Sequence, residues 1–177
     1  IRGSAGNFSV AIRKLPRFVD EDKCIGCGTC TEKCPVKIPN LFNLGLDQTK
    51  AIHQLYPQAV PAVPVIEKDV CRYFLKGKCR ICEKLCPTKA VDFNQSDDLL
   101  MLNVGAIINA TGFSTFDPER IADYNYGQSP DILTSLEFER LLNAAGPTEG
   151  HVIRPSDCRE PMRLGFITVS YTHLTLP

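Results

Sequence analysis

The chain has 177 residues, enough for one ordinary domain or for a small domain with pieces of another. Twenty basic residues balance twenty acidic ones, and with 44% apolar and 23% charged residues the composition excludes a disordered chain and gives no electrostatic argument for nucleic acid. The longest apolar stretches, near 59–66 and 104–108, are too short to span a bilayer and are broken by Pro or Gly. With no basic-then-apolar leader at the start, the expectation is a cytoplasmic protein with neither a membrane nor a nucleic-acid partner.

In chain order, Phe8, Val10 and Ile12 alternate with Ser9, Ala11 and Arg13, the period of a half-buried strand, until Pro16 breaks it. Because Ile1 falls in what reads as the middle of a sheet edge, an N-terminal stretch is expected to precede it. Next comes Cys24-Ile25-Gly26-Cys27-Gly28-Thr29-Cys30-Thr31-Glu32-Lys33-Cys34-Pro35, the C-x2-C-x2-C-x3-C-P run of bacterial ferredoxins. Thiolates two residues apart on one short loop can each reach a different corner of a cubane. Gly26 and Gly28 let the backbone approach closely and turn N–H groups toward sulfur. Pro35 suits the first turn of a helix, where its missing N–H costs nothing.

Residues 35–63 exceed what a minimal two-cluster protein needs. Pro57, Pro61 and Pro64 favour an extended path, so this stretch reads as a surface-wrapping insertion without chemistry, and His53 within it as a loop residue. Val63–Cys71 then echoes Arg17–Cys24: a short apolar strand, an acidic turn and a cysteine. The second run is Cys71, seven residues, then Cys79-Arg80-Ile81-Cys82-Glu83-Lys84-Leu85-Cys86-Pro87. Cys27, Cys30 and Cys34 match Cys79, Cys82 and Cys86 at a constant offset of 52. The longer spacing after Cys71 requires a bulged loop. Two copies of strand, cluster loop and short helix predict a small α+β fold with pseudo-two-fold symmetry.

Eight of the nine cysteines fall in these two runs. A disulfide framework would spread them out, and three at C-x2-C-x2-C cannot pair locally without strain. Structural zinc uses two separated pairs and needs neither the third cysteine nor the Cys-Pro. Two [4Fe–4S] clusters are therefore expected. In a duplicated ferredoxin the fourth cysteine of each run serves the other cluster. The expected ligand sets are Cys24, Cys27, Cys30 and Cys86 for cluster 1, and Cys71, Cys79, Cys82 and Cys34 for cluster 2. Cys158 is expected to be a free loop thiol. Arg72, Lys76, Lys78, Arg80, Lys84 and Lys89 crowd the second run, where they either raise its potential or form a solvated or docking face.

From Leu99 the texture changes. Leu99–Leu102 and Val104–Ile108 read as buried strands ending at Ala110-Thr111-Gly112. Thr134-Ser135-Leu136-Glu137 is a capping box opening a helix with Leu136, Leu141 and Leu142 on its apolar face, stopped by Gly146-Pro147. Residues 169–177 read as translated sequencing-adapter DNA and are set aside from fold reasoning.

With these residues in view, the chain resembles the A subunit of CoB–CoM heterodisulfide reductase, a family of flavin and iron–sulfur proteins. The resemblance runs over nearly all of residues 1–168. It includes Arg17–Cys24, Pro57–Pro61, Lys76–Cys79, Val104–Phe113, Tyr124–Gly127, Thr134–Leu142 and Arg154–Asp157. It departs at Asn109, where the family carries an apolar residue, and after Ile167, where the family's Gln-Cys-Val-Gly-Ser-Arg is missing. The resemblance implies an internal fragment: a two-cluster ferredoxin module at 18–94 inserted in a truncated α/β, thioredoxin-reductase-like FAD-binding domain represented by 1–17 and 95–168. It implies FAD in the full-length parent only, since no G-x-G-x-x-G occurs in this chain. It also implies electron transfer within an oxidoreductase acting on sulfur groups. The implied partners are other heterodisulfide reductase subunits and an electron-donating dehydrogenase or hydrogenase. No catalytic residue is identified in the fragment. The alternatives from other classes are a stand-alone ferredoxin carrier and a structural zinc module.

Overall fold

The computed structural model describes residues 1–167 and divides into two compact units, Ile1–Phe116 and a second beginning at Asp117. In the first, β1 (Arg2–Ser4), β2 (Asn7–Lys14) and, later in the chain, Asp98–Val104 form an antiparallel sheet in the order first, second, last. Between them lie α1 (Thr29–Glu32), β3 (Lys37–Pro39), β4 (Gln48–Lys50), β5 (Ile52–His53), β6 (Val65–Ile66), α2 (Arg72–Lys76) and α3 (Ile81–Leu85). The strand Asp98–Val104 is β7. The second unit contributes α4 (Ser135–Leu142).

The duplicated halves exchange strands. Val19, before the first cysteine run, bridges Val91, after the second. The Asp20 N–H donates to the Ala90 carbonyl at 2.7 Å, and the Asp92 N–H to that of Phe18 at 3.0 Å. In the other half β6, before the second run, pairs antiparallel with β5, after the first. There the Glu67 N–H donates to the Ala51 carbonyl at 2.8 Å, the counterpart of the Asp20 bond. Each run opens on the same turn, with the Cys24 N–H on the Asp20 carbonyl and the Cys71 N–H on that of Glu67. Strand exchange of this kind brings each run close to the end of the other.

The core is small. Phe18, Val19, Ile52, Val63, Ile66, Ala90, Val91 and Phe93 are buried together, and Tyr73, Phe74 and six of the cysteines pack against them. The rings interlock, with Tyr73 and Phe93 at 4.1 Å between centroids and Phe18 and Phe74 at 4.5 Å. Among the described residues, Ile52 is the largest side chain that is essentially fully enclosed. Ile52→Ala is expected to destabilise the unit by about 2–5 kcal/mol, read as a lower denaturant midpoint at unchanged slope.

Several sequence expectations are corrected. The stretch after the first run does not merely wrap the surface: Ala51, Ile52 and His53 are buried, and β5 is part of the core. His53 is a strand residue whose Nδ1 lies 2.8 Å from the Lys50 carbonyl, so its imidazole is held in place by its own neighbourhood. The seven residues between Cys71 and Cys79 do not bulge. Five of them form α2, which closes at Gly77 in the left-handed conformation and turns Tyr73 and Phe74 into the aromatic cluster. The short helices come before the fourth cysteines, not after them. A residue preceding proline is pushed out of the helical region, and Cys86 accordingly sits at φ −71, ψ 113 as the C-cap of α3.

β7 forms where expected and pairs with β2 from Phe8↔Val104 to Lys14↔Asp98. It is not buried, however: Leu99 and Met101 are 64% and 62% exposed. The strand stops at Val104, and 105–116 has no regular structure.

In the second unit, the Thr134 hydroxyl accepts the Glu137 N–H at 3.2 Å while the Glu137 carboxylate accepts the Thr134 N–H at 2.6 Å. This is the reciprocal capping box. Leu141 is buried, but Leu142 is exposed, so the apolar face of α4 is narrower than expected. Thr134→Ala is expected to destabilise α4 by about 1 kcal/mol, measured as faster amide exchange in its first turn. The Tyr126 hydroxyl donates to Glu137 at 2.8 Å, and that hydrogen bond to a carboxylate raises the phenol to about 12. Residues 169–177 lie outside the described residues.

Candidate iron–sulfur centres

The two cysteine runs wrap two separate cavities. Cys24, Cys27 and Cys30 line the first, together with Cys86 from the second run. Cys71, Cys79 and Cys82 line the second, together with Cys34 from the first run. In the first, Cys24 and Cys27 come from a loop and Cys30 from α1; in the second, Cys71 is the N-cap of α2, Cys79 follows that helix and Cys82 lies on α3. The fourth comes from the end of the other helix: Cys86 caps α3, and Cys34 follows α1 and its C-cap Lys33. α1 and α3 pack on one another, which carries each helix end toward the other half's cavity.

The walls are mostly apolar. Val19, Ile25, Ala62 and Val91 line the first cavity, and Val36, Ala51, Ile52 and Ile66 the second. Such walls limit water around a bound group and tune its potential. Gly26 matters by its backbone. It sits at φ +68, a β-carbon on it would lie 3.2 Å from the Ala62 carbonyl, and its N–H donates to the Cys24 sulfur at 3.5 Å. The Ala90 N–H does the same for Cys86 at 3.2 Å. Gly28 instead supplies the left-handed N-cap of α1.

The thiols differ in acidity. Burial pushes Cys82 up to about 12, with the neighbouring Cys71, Cys30 and Cys34 adding to the shift. Burial also raises Cys30. Cys86 feels burial too, but hydrogen bonds from the Thr88 hydroxyl and the Ala90 N–H outweigh it and leave it lowered. Cys27 is exposed and is lowered by its hydrogen bond with Thr29. Binding of a metal group therefore has to displace protons, most strongly at the buried thiols.

The donor set fits a cubane cluster. Among the described residues no three His, Cys, Asp or Glu side chains gather on one point for a single ion. The thiols instead ring two cavities, which suits a multi-iron group bonded at its corners rather than a tetrahedral zinc. Cys158 belongs to the second unit, exposed, with its N–H on the Arg154 carbonyl at 2.8 Å.

Two contributors escape a reading of the sequence alone. Thr88 and Ala90 reach the Cys86 sulfur from just beyond the second run. Their signal is positional: a Cys-Pro turn brings the next backbone N–H groups back onto the sulfur.

Residues 17–39 match the 4Fe-4S binding domain family, so the fold and the site define a ferredoxin-type iron–sulfur module. The match covers the first run only; the second, with its inserted helix, lies outside it. Over 167 residues the chain is 44% identical to the A subunit of the H2:CoB–CoM heterodisulfide,ferredoxin reductase of Methanothermobacter thermautotrophicus. It is 48% identical to the first of the iron–sulfur A subunits of the CoB–CoM heterodisulfide reductase of Methanopyrus kandleri. To the A subunit of the ferredoxin/F420H2-dependent CoB–CoM heterodisulfide reductase of Methanosarcina acetivorans it is 43% identical over 168 residues. Each alignment takes in 94% of this chain but only 25%, 24% and 21% of the respective relatives. Over 94% of its length the chain is similar to heterodisulfide reductase A subunits, and it spans about a quarter of the length of the curated relatives it matches. No helix among the described residues is long and apolar enough to cross a membrane.

Proposed function

We propose that the chain conducts electrons through two [4Fe–4S] clusters within a flavin- and iron–sulfur-containing oxidoreductase of heterodisulfide reductase type. The observation that carries this reading is the pair of apolar cavities, each lined by four thiols in a three-plus-one division between the runs. Cluster 1 is assigned to Cys24, Cys27, Cys30 and Cys86, and cluster 2 to Cys71, Cys79, Cys82 and Cys34. A bound cubane supplies reversible one-electron chemistry. The chain supplies the rest. Thiolates fix each group in place, the Gly26 and Ala90 N–H groups offset negative charge on sulfur, and the apolar walls exclude water. The packing of α1 against α3 holds the two sites side by side for transfer between them.

Residues 18–94 are assigned to the ferredoxin module and 1–17 with 95–168 to strands and helices of a FAD-binding domain into which it is inserted. FAD, a disulfide substrate, the other reductase subunits and an electron-donating dehydrogenase or hydrogenase belong to the parent enzyme in this reading. The relatives' names support it by pairing their A subunits with ferredoxin, F420H2, hydrogen or formate. The test is anaerobic reconstitution. Iron and acid-labile sulfide near eight each per chain, with no zinc retained in competition, are the expected result. About four irons, or zinc with no sulfide, would sink the two-cluster assignment.

A further inference from the structure

The duplication leaves the two centres with different neighbours for their sulfurs. Thr29 is the first residue of α1, two places after Cys27, and at the offset of 52 its counterpart is Ile81, the first residue of α3. Thr88 stands two places after Cys86, and its counterpart, two places after Cys34, is Val36. Thr29 and Thr88 line the first cavity, Ile81 and Val36 the second. The crossed helices thus gather both hydroxyls at one centre and both apolar counterparts at the other. Among the described residues no Ser, Thr or Tyr lines the second cavity.

The sulfur contacts follow this division. Thr29 Oγ1 lies 3.5 Å from Cys27 Sγ, and Thr88 Oγ1 lies 3.6 Å from Cys86 Sγ. A thiolate bonded to iron carries no proton, so in both pairs the hydroxyl has to donate. Both threonines are half-buried, which limits competition from water. Cys34 shows the opposite arrangement. Its thiol donates to the Val36 carbonyl at 3.8 Å, a bond that ends when the sulfur gives up its proton to become a ligand. The carbonyl oxygen then faces a negative sulfur. Donors to sulfur offset the charge that an added electron brings and raise a centre's potential, and an acceptor there does the reverse. Arg72 lines the second cavity and pulls the other way. It is exposed, however, and solvent screens its charge as it does not screen a bond made directly to sulfur.

We infer that Thr29 and Thr88 set the direction of electron flow within the chain, by raising the potential of the first centre above that of the second. The inference rests on the proposed function and deepens it. One electron leaves the second centre and reduces the first; no bond is made or broken and no proton moves. Neither threonine is a ligand. Each acts through the cysteine two places before it.

The test uses the full chain, reconstituted anaerobically and checked for iron and acid-labile sulfide. Redox titration followed by electron paramagnetic resonance reads the two reduction potentials. Thr29→Val/Thr88→Val, which keeps the shape of both side chains, should lower the higher potential alone and change that centre's reduction equilibrium by roughly tenfold. In heavy water the same variant should lose exchangeable-deuteron couplings of the reduced centre in pulsed resonance spectra. Thr29→Ser/Thr88→Ser keeps the hydroxyls and should keep the wild-type potentials and couplings. Val36→Thr should raise the lower potential and narrow the gap, so the two substitutions assign each potential to its centre. The inference is overturned if the valine variant, with its iron complete, keeps both wild-type potentials, or if both potentials move together. It is equally overturned if Val36→Thr raises the higher of the two. Should the valine variant lose iron, Val36→Thr decides, and an unmoved lower potential overturns the inference. A wild-type chain with about four irons or none overturns the proposed function instead, and the metal assay separates that outcome from the others.

Discussion

Stripping iron from the reconstituted chain with a chelator, anaerobically, is expected to abolish the cooperative unfolding transition of the first unit. Near-ultraviolet circular dichroism from the Tyr73, Phe74 and Phe93 group should disappear with the iron, while amide protection in α4 should stay. The reason is the size of the core. Eight buried residues hold the duplicated halves together, and six cysteines pack on their margin. The longest helix of this unit has five residues, far too short to be stable alone. Strands β5 and β6 contribute two residues each. A bound cluster would be the one group that all four cysteines of a cavity share, so its removal takes away their common link. Structural metal sites in small domains contribute on the order of 10 kcal/mol, comparable with the whole stability of a domain. Burial acts in the same direction. Cys82 is held protonated by its surroundings, and without iron the cavity is left with a thiol ring that cannot bridge the segments. A sharp thermal transition surviving complete iron removal, with unchanged aromatic dichroism, would show that the apolar core suffices.

Much of this architecture is legible in the cysteine spacing. The offset of 52 between the later cysteines of the runs reflects a duplication, also visible in matching hydrogen bonds at Asp20 and Glu67, which precede the longer Cys71–Cys79 gap and so stand at a shorter offset. The capping box at Thr134 is equally legible because its chemistry is local. Other features are hidden because they depend on tertiary partners. A two-residue strand such as Ile52–His53 has no periodicity to detect, and its burial is decided by β6, which lies twelve residues further on. α2 carries only one signal, the Gly77 that stops it, easily lost in a segment that reads as loop between two cysteines. The Cys-Pro pairs suggest helix starts because proline is welcome there. The competing rule, that the residue before proline leaves the helical region, decides the outcome. Strand β7 is found as an element but not as a buried one: Leu99 to Leu102 satisfy the pattern of a core strand, but burial is a property of what packs on it.

Cys34→Ser is expected to abolish the second centre and spare the first, although Cys34 belongs to the first run. Cys86→Ser should do the reverse. The geometry supports this through the helices. α1 starts at Thr29 beside the first cavity and ends at Glu32, and the chain beyond it delivers Cys34 to the cavity of Cys71, Cys79 and Cys82. α3 delivers Cys86 to the cavity of Cys24, Cys27 and Cys30 in the same way. Single variants alone are ambiguous, because serine can replace a thiolate and because loss of one centre can weaken its neighbour. Double variants resolve it by non-additivity. If Cys34 and Cys79 serve one centre, Cys34→Ser/Cys79→Ser removes no more iron than the more damaging single variant, leaving about four irons per chain. Cys34→Ser/Cys27→Ser then strikes both centres and leaves close to none. Uncrossed ligation gives the opposite pattern, with Cys34→Ser/Cys27→Ser retaining about four irons and Cys34→Ser/Cys79→Ser retaining none. Iron and sulfide analysis, with electron paramagnetic resonance of the reduced samples, distinguishes the two. The opposite pattern would mean that strand exchange carries the backbone between halves without carrying the ligands, and the duplication would then be one of fold alone.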